Sequence, residues 1–165
     1  MLTLVLGGAR SGKSAFAESL LPSGSVYLAT AQALDAEMVE RVRLHRARRV
    51  GWETVEEPLD LAAALTRLDE RAVLVDCLTL WLSNLMLAER DVDAEIEALC
   101  RALPTLAGPV AMVANEVGWG IVPDNALARA FRDHAGRLNQ RIAALADRVV
   151  LVVAGLPLTL KDTRP

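Results

Sequence analysis

A glycine-rich segment near the amino terminus has the residue types and the spacing of a phosphate-binding loop. Its residues are Gly7, Gly8, Ala9, Arg10, Ser11, Gly12, Lys13 and Ser14, which match the pattern G-x-x-x-x-G-K-[ST] of the P-loop. Glycines let the backbone curl so that successive N–H groups point at phosphate oxygens, and the start of the following helix favours the same anion. In this pattern Lys13 reaches the β- and γ-phosphates and the Ser14 hydroxyl ligates Mg²⁺. The segment therefore predicts a site for a nucleoside triphosphate.

A P-loop also needs a carboxylate for Mg²⁺ at the end of a neighbouring apolar strand. Asp76 closes the apolar run 72–76 and is the first candidate for that place, whereas Glu116 is a second candidate. An acidic residue at the end of an apolar run is also a common way to begin a loop, so the pattern alone leaves both interpretations open.

His45 lies in a strongly basic segment that also contains Arg41, Arg43, Arg46, Arg48 and Arg49. Positive charge stabilises bound phosphates and favours the neutral imidazole, which is the form that can attack phosphorus. A covalent phosphoramidate on His45 is therefore chemically reasonable. A histidine on a solvated basic helix, or a nucleic-acid patch, fits the same residues.

Short apolar runs alternate with amphipathic stretches along the chain, which predicts an α/β fold with a largely parallel sheet and helices on both faces. The predicted strands are Leu2–Leu6, Ser25–Ala29, Ala72–Asp76, Val110–Ala114 and Arg148–Val153, with a short additional strand at Trp52–Val55. The predicted helices are Lys13–Leu21, Asp35–Arg49, Leu59–Leu68, Leu78–Ala88, Val92–Leu103 and Asn125–Ala146. Together with the loop, they predict a P-loop NTPase-type three-layer fold whose ligand lies at the carboxyl ends of the strands.

Length and composition narrow the class of protein. A chain of 165 residues with 53% hydrophobic residues can bury one core, so we expect a single nucleotide-binding domain over residues 1–165. The net charge of −3 argues against general nucleic-acid binding. No apolar stretch approaches the about 20 residues of a membrane span, and the start resembles no export signal, so we expect a cytoplasmic protein without membrane insertion.

The combined pattern resembles the bifunctional adenosylcobinamide kinase and adenosylcobinamide-phosphate guanylyltransferase family of cobalamin biosynthesis. The loop Gly7–Ser14 looks like that family's P-loop, and Tyr27–Ala31 looks like its second strand and nucleotide-contacting loop. The segment from Glu37 to Arg49, followed by Trp52–Pro58, is similar to its guanylylation segment and is the most diagnostic stretch. The segment that begins at Asn115 looks like a long segment near the family's subunit interface.

The resemblance implies two reactions and a set of site residues. A γ-phosphoryl group passes from ATP or GTP to the hydroxyl on the aminopropanol arm of adenosylcobinamide. His45 then receives GMP from GTP and passes it to adenosylcobinamide phosphate, which gives adenosylcobinamide-GDP. The residues implied beside the P-loop are Ala29, Thr30, Ala31, His45, Arg46, Ala47, Arg48, Arg49, Glu56 and Asp76. Ser14 and Asp76 would hold Mg²⁺, and the resemblance further implies a homotrimer.

Some members of the family carry glutamate where this chain has the shorter Asp76, so the distance to the metal can differ. Three other interpretations use the same residues: a nucleotide-binding protein without transfer activity, a P-loop kinase for another small metabolite, and a P-loop ATPase that binds nucleic acid. Covalent nucleotide on His45 and turnover with a corrinoid distinguish the first two, and salt-dependent affinity distinguishes the third.

Overall fold

A central sheet of seven strands organises the protein in a computed structural model that describes residues 1–31 and 51–163. The strands are β1 (Leu2–Gly7), β2 (Val26–Ala29), β3 (Glu53–Glu56), β4 (Val73–Asp76), β5 (Val110–Asn115), β6 (Arg148–Val153) and β7 (Leu156–Asp162). Their order across the sheet is β3-β2-β4-β5-β1-β6-β7. All neighbouring pairs are parallel except β6 and β7, which form an antiparallel pair at the edge.

The described helices connect these strands as the apolar periodicity predicts. They are α1 (Lys13–Ser19), α2 (Leu61–Arg67), α3 (Leu78–Leu87), α4 (Val92–Ala102) and α5 (Ala126–Leu145), with a 3₁₀ turn at Leu103–Thr105. Side chains cap two of them, because Asp91 accepts the N–H of Ala94 and Asn125 accepts the N–H of Ala128. The predicted helix Asp35–Arg49 lies outside the described residues.

Apolar side chains cover both faces of the sheet, which is why the inner strands are nearly continuous apolar runs. On one face, Leu4 and Met112 pack with residues of α2 to α5 such as Trp81 and Leu138. On the other face, Val5 and Val113 pack with residues that include Ala17 of α1. The predicted α/β P-loop fold with a mostly parallel sheet is therefore confirmed, whereas a single domain over residues 1–165 stays a prediction.

The strand β7 was not among the predicted elements. Leucines occupy every second position in the first part of β7, and nearly all of its residues are exposed. The strand contains Pro157, and proline is tolerated in a strand at the edge of a sheet. None of the helices in residues 1–31 and 51–163 combines the length and the hydropathy that crossing a bilayer requires.

Candidate functional site

The carboxyl ends of the parallel strands bring several predicted site residues to one edge of the sheet. Ala29 pairs with Glu56 on one side and with Asp76 on the other. Gly7 pairs with Asn115 of β5, and β5 lies between the P-loop strand β1 and the Asp76 strand β4. Open parallel sheets bind their ligands at this edge. The predicted nucleotide residues therefore converge although they are far apart in the sequence.

The loop after β1 has the backbone of a phosphate cradle. Arg10 and Gly12 have positive φ angles of 57° and 94°, so the chain reverses its curl at these positions. A Cβ atom on Gly7 would lie 2.6 Å from the carbonyl oxygen of Val152 and 2.5 Å from Ser11 Oγ, which leaves no room for a side chain. The Ser11 carbonyl accepts the N–H of Gly155 at 2.9 Å, and this bond ties the loop to the turn between β6 and β7.

Lys13 begins α1 and folds back over the loop. Its ammonium group donates a hydrogen bond to the carbonyl of Gly8 at 3.1 Å, and the residue is only 9% exposed. A buried ammonium group that is held over a ring of backbone amides attracts a polyanion strongly. Ser14 follows in the first turn of the same helix and is half-buried.

Asp76 is held by two residues of the neighbouring strand β2 and the loop after it. The Tyr27 hydroxyl donates to Asp76 Oδ2, and the N–H of Thr30 donates to the Asp76 carbonyl at 3.0 Å. Thr30 is fully buried, and its hydroxyl accepts the N–H of Cys77 at 2.8 Å and donates to the Cys77 carbonyl at 2.8 Å. The side chain of Thr30 thus positions the backbone on both sides of the Asp76–Cys77 peptide bond, while its contact with a nucleotide stays a prediction.

Side chains of α3 bind the loops that follow β2 and β3. The Asn84 amide donates to the carbonyl of Thr30 at 2.7 Å and to the carbonyl of Pro58 at 3.1 Å. The Trp81 indole donates to the carbonyl of Leu59 at 2.8 Å, and its ring is fully buried. Because side chains of one helix bind the loops after β2 and β3, the helix fixes the positions of Thr30 and Glu56 relative to each other.

The end of β5 forms a second polar group at the same edge. The N–H of Glu116 donates to the carbonyl of Gly7 at 3.2 Å, so the residue lies directly against the start of the P-loop. Its carboxylate accepts a hydrogen bond from the Asn139 amide at 3.1 Å. Asn139 belongs to α5 and is only 8% exposed. A buried amide thus fixes a carboxylate beside the predicted phosphate site.

Cys77 adds an electrostatic feature next to Asp76. Burial raises the pKa of the Cys77 thiol above 9.0, and the negative charge of Asp76 raises this pKa further. Asn115 donates to the sulfur at 3.6 Å. The thiol is therefore neutral at physiological pH, and its surroundings are those of a packed cysteine rather than of a nucleophile.

Ser14 and Asp76 offer one hydroxyl and one carboxylate, which are the oxygen ligands that Mg²⁺ takes in P-loop proteins. Within the part of the chain that the structure describes, no group of three or more His, Cys, Asp or Glu side chains is placed to hold a metal. Mg²⁺ usually keeps several waters and shares phosphate oxygens, so a hydroxyl and one carboxylate fit it.

Of the predicted site residues, the structure places Gly7 to Ser14, Ala29, Thr30, Ala31, Glu56 and Asp76 at the carboxyl edge. His45, Arg46, Ala47, Arg48 and Arg49 lie outside the described residues, so their role stays a prediction. Sequence reasoning missed Asn84 and Asn139 as supports of the site. Each is a single amide among the buried apolar residues of its helix, which was the available signal.

Comparison with known proteins gives the family. The family model of cobinamide kinase / cobinamide phosphate guanyltransferase matches residues 3–160. The bifunctional adenosylcobalamin biosynthesis protein CobP of Pseudomonas aeruginosa is 51% identical, and the match covers 98% of both chains. The bifunctional adenosylcobalamin biosynthesis protein CobU of Salmonella typhimurium is 42% identical over 98% of this chain and 100% of its own length.

Among solved structures, the P4 protein from bacteriophage phi6 in complex with ADP superposes with a TM-score of 0.53 at 16% identity. The superposition covers 94% of this chain and 52% of the phage protein, and at this identity it supports the α/β P-loop fold alone. The resemblance predicted from the motifs is thus confirmed over nearly the whole length. This chain is a transferase that belongs to the cobinamide kinase / cobinamide phosphate guanyltransferase family.

Proposed function

We propose that this chain phosphorylates adenosylcobinamide with ATP or GTP and then transfers GMP from GTP to adenosylcobinamide phosphate through a covalent GMP-histidine on His45. The observation that carries the proposal is the meeting of the P-loop, with Lys13 over it, and Asp76 at one edge of the sheet. Family membership supplies the two reactions and the acceptor.

In the first reaction the acceptor hydroxyl attacks the γ-phosphorus, the bond to the β-phosphate oxygen breaks, and a nucleoside diphosphate leaves. The amides of residues 7–14 bind the phosphates, and Lys13 neutralises the charge that spreads over the transferred group. Ser14 and Asp76 would hold Mg²⁺, which would offset the negative charge of the phosphates. The hydrogen bonds from Tyr27 and Thr30 orient Asp76 for this purpose.

In the second reaction an imidazole nitrogen of His45 attacks the α-phosphorus of GTP and pyrophosphate leaves. An oxygen of adenosylcobinamide phosphate then attacks the phosphorus of the GMP-histidine, the P–N bond breaks, and free His45 returns. One difficult phosphate joining becomes two easier displacements. Arg46, Ala47, Arg48, Arg49 and Glu56 complete the nucleotide site in this proposal, with Thr30 and the neighbouring Ala29 and Ala31. The resemblance in the guanylylation segment supports these assignments.

Intact mass spectrometry after incubation with Mg²⁺ and GTP tests the covalent step. We expect a GMP-sized, acid-labile adduct that forms from GTP and is absent from His45→Ala, while nucleotide binding persists in that variant. If the wild-type protein binds nucleotide but forms no adduct, the guanylyltransferase half is wrong and a P-loop kinase or a nucleotide-binding protein remains.

The proposal also includes one domain over residues 1–165, a homotrimer and a cytoplasmic location. The family resemblance supports the trimer. Sedimentation equilibrium of the full chain checks it, because a trimer has three times the chain mass of 17.8 kDa and a monomer would contradict it.

A further inference from the structure

Glu116 carries a carboxylate at the carboxyl edge of the sheet, and the two proposed reactions give this carboxylate no role. It follows β5, and β5 lies between the P-loop strand and the Asp76 strand. Its N–H contacts the Gly7 carbonyl at 3.2 Å. Glu116 thus lies at the carboxyl edge of the sheet, beside the first residue of the P-loop.

Asn139 fixes the orientation of that carboxylate. Its amide donates to Glu116 Oε1 at 3.1 Å and to the Asn115 carbonyl at 3.4 Å. On the same stripe of α5 the buried neighbours Leu138 and Ile142 are apolar, so the amide is the exception. Burying an amide costs free energy unless it is hydrogen-bonded, and here the hydrogen bonds hold the end of β5 and the Glu116 carboxylate together.

A cavity of about 350 Å³ lies beside the Glu116 side chain. Its walls come from β1, α5 and the β6–β7 edge, with Asn139 and Gln140 as amides and Leu6 and Leu160 as apolar wall. Lys161 lies toward the opposite end, where its ammonium group donates to the carbonyls of Ala143 and Ala144. The volume falls in the range of ligand pockets, and apolar walls with a few amides suit an amide-linked alkyl arm.

We infer that Glu116, oriented by Asn139, binds the acceptor hydroxyl and takes its proton while that oxygen attacks the γ-phosphorus. The inference deepens the kinase half of the proposed function and rests on it. The hydroxyl oxygen forms the new P–O bond, the bond to the β-phosphate oxygen breaks, and the proton passes to the Glu116 carboxylate and from there to solvent. The cavity receives the arm that carries the hydroxyl. Glu116 is then a catalytic residue and Asn139 is a positioning residue.

The decisive experiment compares Glu116→Gln with the wild-type protein in steady-state phosphorylation of adenosylcobinamide. A general base contributes about 10²- to 10⁴-fold, so we expect kcat to fall by about 10²-fold or more. Nucleotide affinity and the rate of GMP-adduct formation should change by less than about threefold, because Glu116 takes no part in binding GTP or in the attack by His45.

The matched control is Glu95→Gln, the same substitution in α4, where Glu95 pairs with Arg90 away from the candidate site. It should leave both activities unchanged. Glu116→Asp keeps a carboxylate that is one methylene shorter, and we expect a smaller loss of kcat than for glutamine. This variant tests the inference even if Glu116→Gln folds poorly.

The role of Asn139 requires a double-mutant cycle. Asn139→Ala should lower kcat about tenfold with little change in the KM for the acceptor, and should cost nothing further in the Glu116→Gln background, because coupled residues are not additive. A purely structural role would instead lower both activities in both backgrounds.

Three results overturn the inference: Glu116→Gln with kcat within about threefold of wild type, equal losses of kinase activity and adduct formation in that variant, or full additivity with Asn139→Ala. Failure of the wild-type protein to phosphorylate adenosylcobinamide would refute the kinase half of the proposed function itself, and this inference with it.

Discussion

Replacement of Thr30 by valine changes one buried hydroxyl to a methyl group of the same shape at the centre of the candidate site. Thr30 is fully buried, and its hydroxyl accepts the N–H of Cys77 at 2.8 Å. The carbonyls that the hydroxyl contacts have other donors. The Asp76 carbonyl also accepts the N–H of Thr30, and the Cys77 carbonyl also accepts the N–H groups of Leu80 and Trp81. The substitution therefore deprives mainly the Cys77 N–H of its acceptor.

The expected change in the free energy of unfolding is the difference between two opposing contributions. A buried donor without an acceptor costs about 1–3 kcal/mol. The added methyl group is buried and returns about 0.8 kcal/mol. The free energy of unfolding should fall by the difference, about 0.2–2.2 kcal/mol. For a chain of this size that corresponds to a decrease in Tm of about 0.5–9 °C.

Urea denaturation followed by circular dichroism measures this difference as a lower midpoint at an unchanged m-value. Thr66→Val is the matched control, because Thr66 lies on the exposed side of α2, where its hydroxyl donates to the carbonyl of Ala62. The same substitution there should change the free energy of unfolding by no more than about 0.5 kcal/mol. A Thr30→Val protein that is as stable as the wild type, or more stable, would refute the claim that this hydroxyl secures the Asp76–Cys77 backbone.

Two further predictions concern the P-loop and the buried thiol. Gly12→Ala should lower the free energy of unfolding by about 1–2 kcal/mol from its positive φ alone, as should Gly24→Ala at φ 82°. Of these two positions, only Gly12 would place the new Cβ close to a neighbour, which is Gly155 Cα at 3.3 Å. We therefore expect thermal denaturation to show the larger loss of stability for Gly12→Ala, and calorimetry to show weaker nucleotide binding by this variant. Equal losses of stability in the two variants would contradict the crowding argument. For Cys77, the folded-state pKa is raised, so the thiol stays neutral in the folded chain at a pH where the thiol of the unfolded chain, with a pKa of 9.0, already ionises. The free energy of unfolding should therefore fall more steeply between pH 8 and pH 10 in the wild-type protein than in Cys77→Ala, and identical slopes would refute the assignment.

The motif and the apolar runs were sufficient to predict the nucleotide loop, the parallel sheet and the strand that ends at Asp76. Their signals are local, since spacing and burial on both faces are visible within each segment. The strand order was not predictable, because the insertion of β5 between β1 and β4 depends on contacts between distant parts of the chain. The strand β7 was missed because it contains Pro157 and lies exposed at an edge, so it lacks the continuous apolar run that marks the strands buried on both faces.

The side chains that hold the site residues in place could not be predicted from local sequence patterns either. Asn139 contacts Glu116 at the carboxyl edge of the sheet, and no spacing rule in the sequence relates residues of α5 to the end of β5. Thr30 was expected beside a nucleotide because of the resemblance. Its hydrogen bonds to the backbone of Cys77 depend on the pairing of β2 with β4, which no local pattern in the sequence indicates.

The position of β1 has a consequence for the order in which the protein can form during synthesis. β1 is made before both of its partners, because it pairs on one side with β5 and on the other side with β6, which ends at Val153. The P-loop therefore lacks β6 and its hydrogen bond to Gly155 until residues 148–155 have left the exit tunnel. Nascent chains that end before β6 should not bind nucleotide, and the apolar residues of β1 are a segment for chaperones to protect in the meantime.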